Sequence, residues 1–171
     1  LDFTIVVPVT PPPAAVLDAF LDPAFLAATA TLPGIGGGEV LELTRTATTA
    51  RLRARYRFTG TLNRAVTRVV DPDRLTWVDD ATFDLAAGCA THVLVPDHYP
   101  DRLEATYTST VHPDDTGSVW TVTGTLVVRA PVVGGRVAGV VVAGFDDHAR
   151  ARGRLLDAWW DGRDRPPADP G

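Results

Sequence analysis

The stretch Arg136 to Trp160, RVAGVVVAGFDDHARARGRLLDAWW, decides the fold. Val137, Val140, Val141, Gly144, Phe145, His148, Leu155, Leu156 and Trp159 recur at three-to-four spacing, which marks one face of a helix. Asp146, Asp147, Arg150, Arg154 and Asp157 fall mostly off that stripe. The spacing predicts one long amphipathic helix over 136–160. A turn at Pro131–Gly135 precedes it, and the strand-like run Val119–Ala130 leads into the turn. Gly139 and Gly144 each cost about 1 kcal/mol relative to alanine within a helix. Two explanations stand side by side: close approach to a sheet or open space at those positions, and drift in a GC-rich coding sequence.

Working outward from the helix, strands dominate. Asp2–Val9 reads as a first strand. Thr10-Pro11-Pro12-Pro13 ends it, because proline brings no N–H to a ladder. Proline suits a helix start, and Ala14–Leu21 carries Val16, Leu17 and Phe20 at helical spacing. Asp22-Pro23 reads as an N-cap and first helical position for a second short helix reaching Leu32. Pro33-Gly34 closes it, and Gly36–Gly38 reads as a loop.

Glu39–Thr46 and Ala50–Gly60 then read as a hairpin. In its second strand Leu52, Ala54, Tyr56 and Phe58 alternate with Arg51, Arg53, Arg55 and Arg57. Leu62–Val70 is a short helix or an irregular crossover. Arg74–Leu85 is a strand with Leu75, Trp77, Ala81 and Phe83 on one face, and Cys89–Val95 a weaker one. Leu103–Val111 and Val119–Ala130 form a last hairpin around Pro113–Gly117. Arg163–Gly171 is rich in Pro and Asp and reads as a flexible tail after a single domain, 1–162. Two short helices, many strands and one long C-terminal helix suggest an α+β sheet wrapped around a helix, an arrangement that usually encloses a cavity.

Composition narrows the partners. The 171 residues are 45% hydrophobic, enough for a sizeable core, and carry a net charge of -5. That charge argues against a nucleic-acid partner. All sixteen basic residues are Arg. Cys89 is the single cysteine, so an intrachain disulfide and zinc sites built on several cysteines are excluded. A lone Cys is more often a small buried residue than a nucleophile. Val137–Phe145 is apolar but too short to span a membrane, and a cytoplasmic location without integral membrane contact is expected.

Several residues carry a family resemblance. Thr10-Pro11-Pro12-Pro13-Ala14-Ala15-Val16-Leu17-Asp18-Ala19-Phe20-Leu21-Asp22-Pro23, placed after a first strand, and the segment Val127–Val137, VVRAPVVGGRV, carry it. With this order of elements, the chain resembles the START-like or helix-grip superfamily (SRPBCC), which includes polyketide cyclases, lipid-transfer START domains and the birch-pollen allergen. The second segment looks more like an uncharacterised bacterial branch, a domain of unknown function. The resemblance covers the chain through about Gly162. It implies a helix-grip fold: a curved antiparallel sheet gripping the C-terminal helix, two short helices after the first strand, and an apolar cavity between sheet and helix. It says almost nothing of activity, since one fold hosts many functions.

Candidate site residues follow from parity and from the helix stripe. Turned inward, Tyr56, Trp77, Tyr107 and Trp120 line a cavity suited to an apolar or aromatic ligand; the plain alternative is core packing. Val141, Gly144 and His148 are the stripe positions that the resemblance directs at a ligand. His148 can hydrogen-bond or shuttle a proton, or it is a satisfied structural histidine. Strict alternation puts Asp79 on the inner face, where a carboxylate needs a partner or a raised pKa and can serve as anchor or general acid. A β-bulge at Asp79-Asp80, or a rim position, turns it to solvent and is the favoured reading.

No metal or cofactor is expected. His92, His98 and His112 lie on different strands or loops, and Asp146 and Asp147 point away from the His148 direction. No phosphate-binding loop and no GxSxG motif occurs. The Arg51/53/55/57 stripe reads as a solvated outer face, with Asp80 and Asp84 opposite it if their strands are neighbours. The expected function is binding of a small hydrophobic molecule, a lipid, polyketide or aromatic metabolite. One rival is a cyclase/dehydratase-like enzyme with Asp79 and His148 as acid and base. The other is a ligand-free interaction module; there Trp159-Trp160 forms a partner patch, although capping the barrel mouth is their simpler role. No protein partner is assigned.

Overall fold

The structure is a computed structural model and describes residues 1–62, 64–68 and 70–163. Most strands alternate, clearest in β1 and β3, and the alternation builds one sheet with an apolar inner face. β1 (Asp2–Val9) turns Phe3, Ile5, Val7 and Val9 inward. α1 (Pro13–Phe20) and α2 (Pro23–Ala28) follow, the second capped by the Asp22 carboxylate, which accepts from the Ala24 N–H at 2.8 Å. β2 (Ile35–Arg45), β3 (Thr49–Phe58), β4 (Thr76–Asp84), β5 (Cys89–Pro96), β6 (Leu103–Asp114) and β7 (Gly117–Val128) complete the sheet. A four-residue helix, α3 (Arg64–Thr67), falls between β3 and β4, and α4 (Gly134–Arg163) closes the chain.

The seven strands lie in the order β1-β7-β6-β5-β4-β3-β2, every neighbouring pair antiparallel. The sheet curls around α4, whose Val137, Val141, Ala149 and Leu156 are buried against it. This is the α+β helix-grip architecture that the sequence implies. Phe25, Leu26, Leu126 and Leu156 are among the most deeply buried side chains, each contributing roughly 2 kcal/mol through burial. Both the N–H and the hydroxyl of Thr10 donate to Asp157, at 2.8 and 3.0 Å, pinning the exit of β1 to α4.

Several boundaries differ from the sequence reading. Gly36–Gly38 is part of β2 rather than a loop. Gly37 and Gly38 take φ of 103° and 86° beside a break in the register with β3, a bulge conformation that glycine adopts without strain. The β6–β7 strands extend to Asp114 and Gly117, so Pro113 lies within a strand. Pro72–Arg74 forms a 3-10 turn before β4. α4 starts two residues earlier than predicted and runs through Arg163; the remainder of the predicted tail, 164–171, lies outside the described residues.

The outer face carries the arginine stripe. Arg53 stands opposite Asp80, and Arg51 pairs with the Asp80 carboxylate at 2.8 Å. Arg55 pairs with Asp97 at 3.2 Å. The Arg51 guanidinium holds the Asp80 carboxyl below its usual value. These pairs are solvated and add little stability individually.

The two helix glycines separate clearly. Gly144 faces Phe58 and Gly34: a Cβ there would lie 2.7 Å from the Phe58 ring, and a Cβ on Gly34 would strike the Gly144 carbonyl. Gly34 also has φ of 79°. Close approach therefore explains Gly144. Gly139 meets nothing within 4 Å. Gly34→Ala is expected to cost roughly 3 kcal/mol from left-handed strain and overpacking. Gly139→Ala is expected to gain about 0.5–1 kcal/mol from helix propensity. Urea unfolding of the two variants against the parent checks both signs.

Candidate functional site

Between the sheet and α4 lies a cavity of about 90 Å³. Tyr56, Trp77, Tyr107 and Trp120 border it from β3, β4, β6 and β7, and His148 borders it from α4. Tyr56, Trp77, Phe145 and Tyr107 form one connected wall, while Trp120 packs edge-on against Phe20 at 4.9 Å. Tyr56 stacks on Trp77 at 6.3 Å, and Phe145 of α4 meets Trp77, Phe3 and Tyr107 at 6.1 to 6.4 Å. Two other predicted positions lie elsewhere. Val141 is buried in the core and does not border the cavity. Gly144 lines a separate open groove with Gly34 and Phe58. Cys89 is half-buried and away from the cavity.

Asp79 borders the cavity, and the favoured bulge is corrected here. The β3–β4 and β4–β5 registers run unbroken through Asp79 and Asp80, so strict alternation holds. Asp79 points inward at 9% exposure, and Asp80 points out to Arg51. An inner-face position is tolerable because β5 supplies a partner: His92 Nδ1 lies 3.0 Å from Asp79 Oδ2. His92 Nε2 lies 3.1 Å from the Ser109 hydroxyl. Tyr107 stacks on the His92 ring at 4.3 Å with planes 10° apart. Burial pushes the Tyr107 hydroxyl well above its ordinary pKa, and the Asp79 carboxylate pushes it further. Burial raises Tyr56 as well.

The other pole of the cavity is cationic. Arg152 of α4 borders it with its guanidinium 4.1 Å above the Phe20 ring and 5.6 Å from that of Trp120. Among the described residues it forms no salt bridge, and its Nε has no hydrogen-bond acceptor. Burial lowers its pKa, opposed by Tyr56, Tyr107 and Asp79. Burial also drives the His148 imidazole down to about 4, with the Arg152 cation adding and backbone contacts at Ile35 and Pro33 opposing. His148 is therefore neutral at pH 7.

Three polar residues of the cavity escaped the sequence reading, and each had a signal. His92 lies between Ala90 and Leu94 on the buried parity of β5, and Ser109 between Tyr107 and Val111 on that of β6. Arg152 continues the 141-145-148 spacing of the helix stripe, but its charge disguises it. At the helix end, Trp159 packs edge-on against Phe25 at 5.5 Å. Among the described residues no group of three His, Cys, Asp or Glu side chains is placed to hold a metal ion. No single helix among them is long and apolar enough to cross a membrane.

A curled antiparallel sheet, a long gripped helix and a cavity between them define a helix-grip fold. The chain belongs to the family described as Protein of unknown function (DUF2505), whose pattern matches residues 4–160. No curated protein matches it. Among solved structures it is similar to TTHA0849 from Thermus thermophilus, with a TM-score of 0.64 and 14% identity over 96% of this chain and 100% of that one. It is also similar to the Zhui aromatase/cyclase from Streptomyces sp. R1128, with a TM-score of 0.61 and 14% identity over 98% and 96%. The di-domain aromatase/cyclase BexL of the BE-7585A biosynthetic pathway gives a TM-score of 0.63 and 15% identity over 98% of this chain and 51% of that one. These likenesses establish the fold.

His148 makes stability depend on pH. The unfolded chain binds its proton near pH 6.5 and the folded protein near pH 4. Between those values the unfolded state holds more protons, so stability falls as pH drops from 6.5 toward 4. The loss is on the order of 3 kcal/mol. His148→Gln should flatten that part of the profile, read as urea midpoints measured from pH 7 to pH 4.

Proposed function

We propose that this protein binds a small, largely apolar molecule in the cavity between the sheet and α4. One observation carries the reading: an aromatic-walled cavity is bordered by four buried polar atoms that have no hydrogen-bond partner among the described residues. They are Asp79 Oδ1, Trp120 Nε1, His148 Nδ1 and Arg152 Nε. Buried polar atoms nearly always have partners, so four exceptions at one cavity support the reading that a bound molecule supplies them. The aromatic wall supplies burial, and the polar atoms supply orientation.

Size orders the candidate ligands. The resting cavity of about 90 Å³ is smaller than an engineered cavity of about 150 Å³ that takes benzene. A small aromatic metabolite asks for the least opening, and a lipid or polyketide for more. Arg152, held by ring faces rather than by an ion pair, is the side chain best placed to swing aside. A ligand-free interaction module is disfavoured by the cavity itself, since it needs no such space.

A second reading, a cyclase/dehydratase-like enzyme, is favoured by one contact. Asp79 meets a histidine at 3.0 Å on the cavity wall, as acid–base chemistry on a carbonyl compound requires. That histidine is His92; His148, expected to act with Asp79 on one bound ligand, borders the same cavity. His148, neutral at pH 7, is left as a hydrogen-bonding group.

Native mass spectrometry of the purified protein, with denaturing extraction of anything released, tests the binding reading. A stoichiometric apolar compound is expected, and it should quench the Trp77 and Trp120 fluorescence on rebinding. Ala149→Leu, which fills the cavity from α4, should abolish rebinding at a stability cost of about 1–3 kcal/mol. A clean apo mass with no thermal shift across lipids, polyketides and aromatic metabolites would turn the assignment to an interaction module.

A further inference from the structure

Asp79, His92 and Ser109 sit on three consecutive strands, β4, β5 and β6, and meet on the inner face of the sheet. Their order is carboxylate, imidazole, hydroxyl. With Asp79 as carboxylate and a neutral ring, Asp79 can only accept, so the arrangement calls for the ring proton on His92 Nδ1, donated to Asp79. His92 Nε2 then accepts, and the Ser109 hydroxyl donates to it at 3.1 Å. The ring is fixed: Tyr107 stacks on one face, and Phe83 lies edge-on at 6.0 Å. All three side chains border the cavity. A base within hydrogen-bond reach of a hydroxyl, itself oriented by an acid, is the arrangement that activates a serine for attack on an acyl carbon.

We propose that Ser109 is a nucleophile that accepts a short acyl group from an ester or thioester, with His92 as general base and Asp79 as the positioning residue. Ser109 Oγ forms a bond to the carbonyl carbon while its proton passes to His92 Nε2. The carbonyl oxygen takes the negative charge, and Trp120 Nε1–H and Arg152 Nε–H, which border the same cavity and have no acceptor among the described residues, are the donors available to it. Collapse breaks the bond to the alcohol or thiol, which leaves with the proton from His92. Water then adds by the same route, releasing the carboxylic acid and restoring Ser109. Nothing is oxidised or reduced. The small cavity favours a short acyl group.

This assignment rests on the reading that the cavity admits a small apolar molecule. The test is incubation with p-nitrophenyl acetate and p-nitrophenyl propionate, following p-nitrophenolate release, intact mass and the modified peptide. The chain has no lysine, which removes the usual side-chain amines that such esters acylate nonspecifically. One acyl group on Ser109, with continuing turnover, is the expected result. Ser109→Ala should lose both at an unchanged melting temperature. His92→Asn should slow acylation by about 100-fold or more. Asp79→Asn should lower kcat with KM kept, which a merely structural role would not produce. Indole binding, read by thermal shift on the parent and on Ser109→Ala, separates the two readings. If both bind indole and the parent is not acylated at Ser109, the nucleophile is overturned and the binding cavity stands. If neither binds indole and no acylation occurs, both fall.

Discussion

The structure depends on one constraint: a seven-stranded sheet with an apolar inner face must be covered, and α4 covers it. Phe3, Ile5 and Val7 on β1, Leu52 and Ala54 on β3, and Val122 and Leu126 on β7 all need that cover. A flat sheet would leave much of this surface in water, so the sheet curls around the helix. The remaining details serve the curl and the seal. The bulge at Gly37 and Gly38 bends β2, Gly34 and Gly144 let loop and helix backbones approach, and Asp157 ties the helix to the end of β1.

Covering a curled sheet with a single helix leaves space where the two surfaces do not match. The cavity occupies that space, with α1 and α2 contributing its Phe20 wall and support from Phe25. Its polar lining is what separates it from a packing defect. A simple core would place aliphatic residues at Asp79, His92, Ser109, His148 and Arg152. Keeping five polar groups there sacrifices stability, and an acidic pole on the sheet opposite a cationic pole on the helix gives the interior a direction.

Much of this fold was legible because burial writes periodicity into sequence. The 3.6-residue stripe of α4 and the two-residue alternation of β3 and β4 are direct imprints of one buried face. The boundaries that moved are those where local chemistry and tertiary demand conflict. Gly36–Gly38 has loop composition, yet β3 recruits it as a bulged strand. Asp79 shows the same conflict at the site. Alternation put it inside, the expense of burying a carboxylate argued for a bulge, and the partner that resolves the matter is thirteen residues away on the next strand.

The sequence by itself determined the α+β class, the faces of its strands and helix, and the outer arginine face. These follow from the spacing of apolar residues along each element, a property of neighbours in the chain. Tertiary structure decided which polar groups meet. His92 joins Asp79 and Ser109 because β5 lies between β4 and β6, and Arg152 enters the cavity because of the turn at which α4 meets Phe20 and Trp120. Strand order and helix rotation are set by packing the whole interior at once, so no local pattern could have contained them.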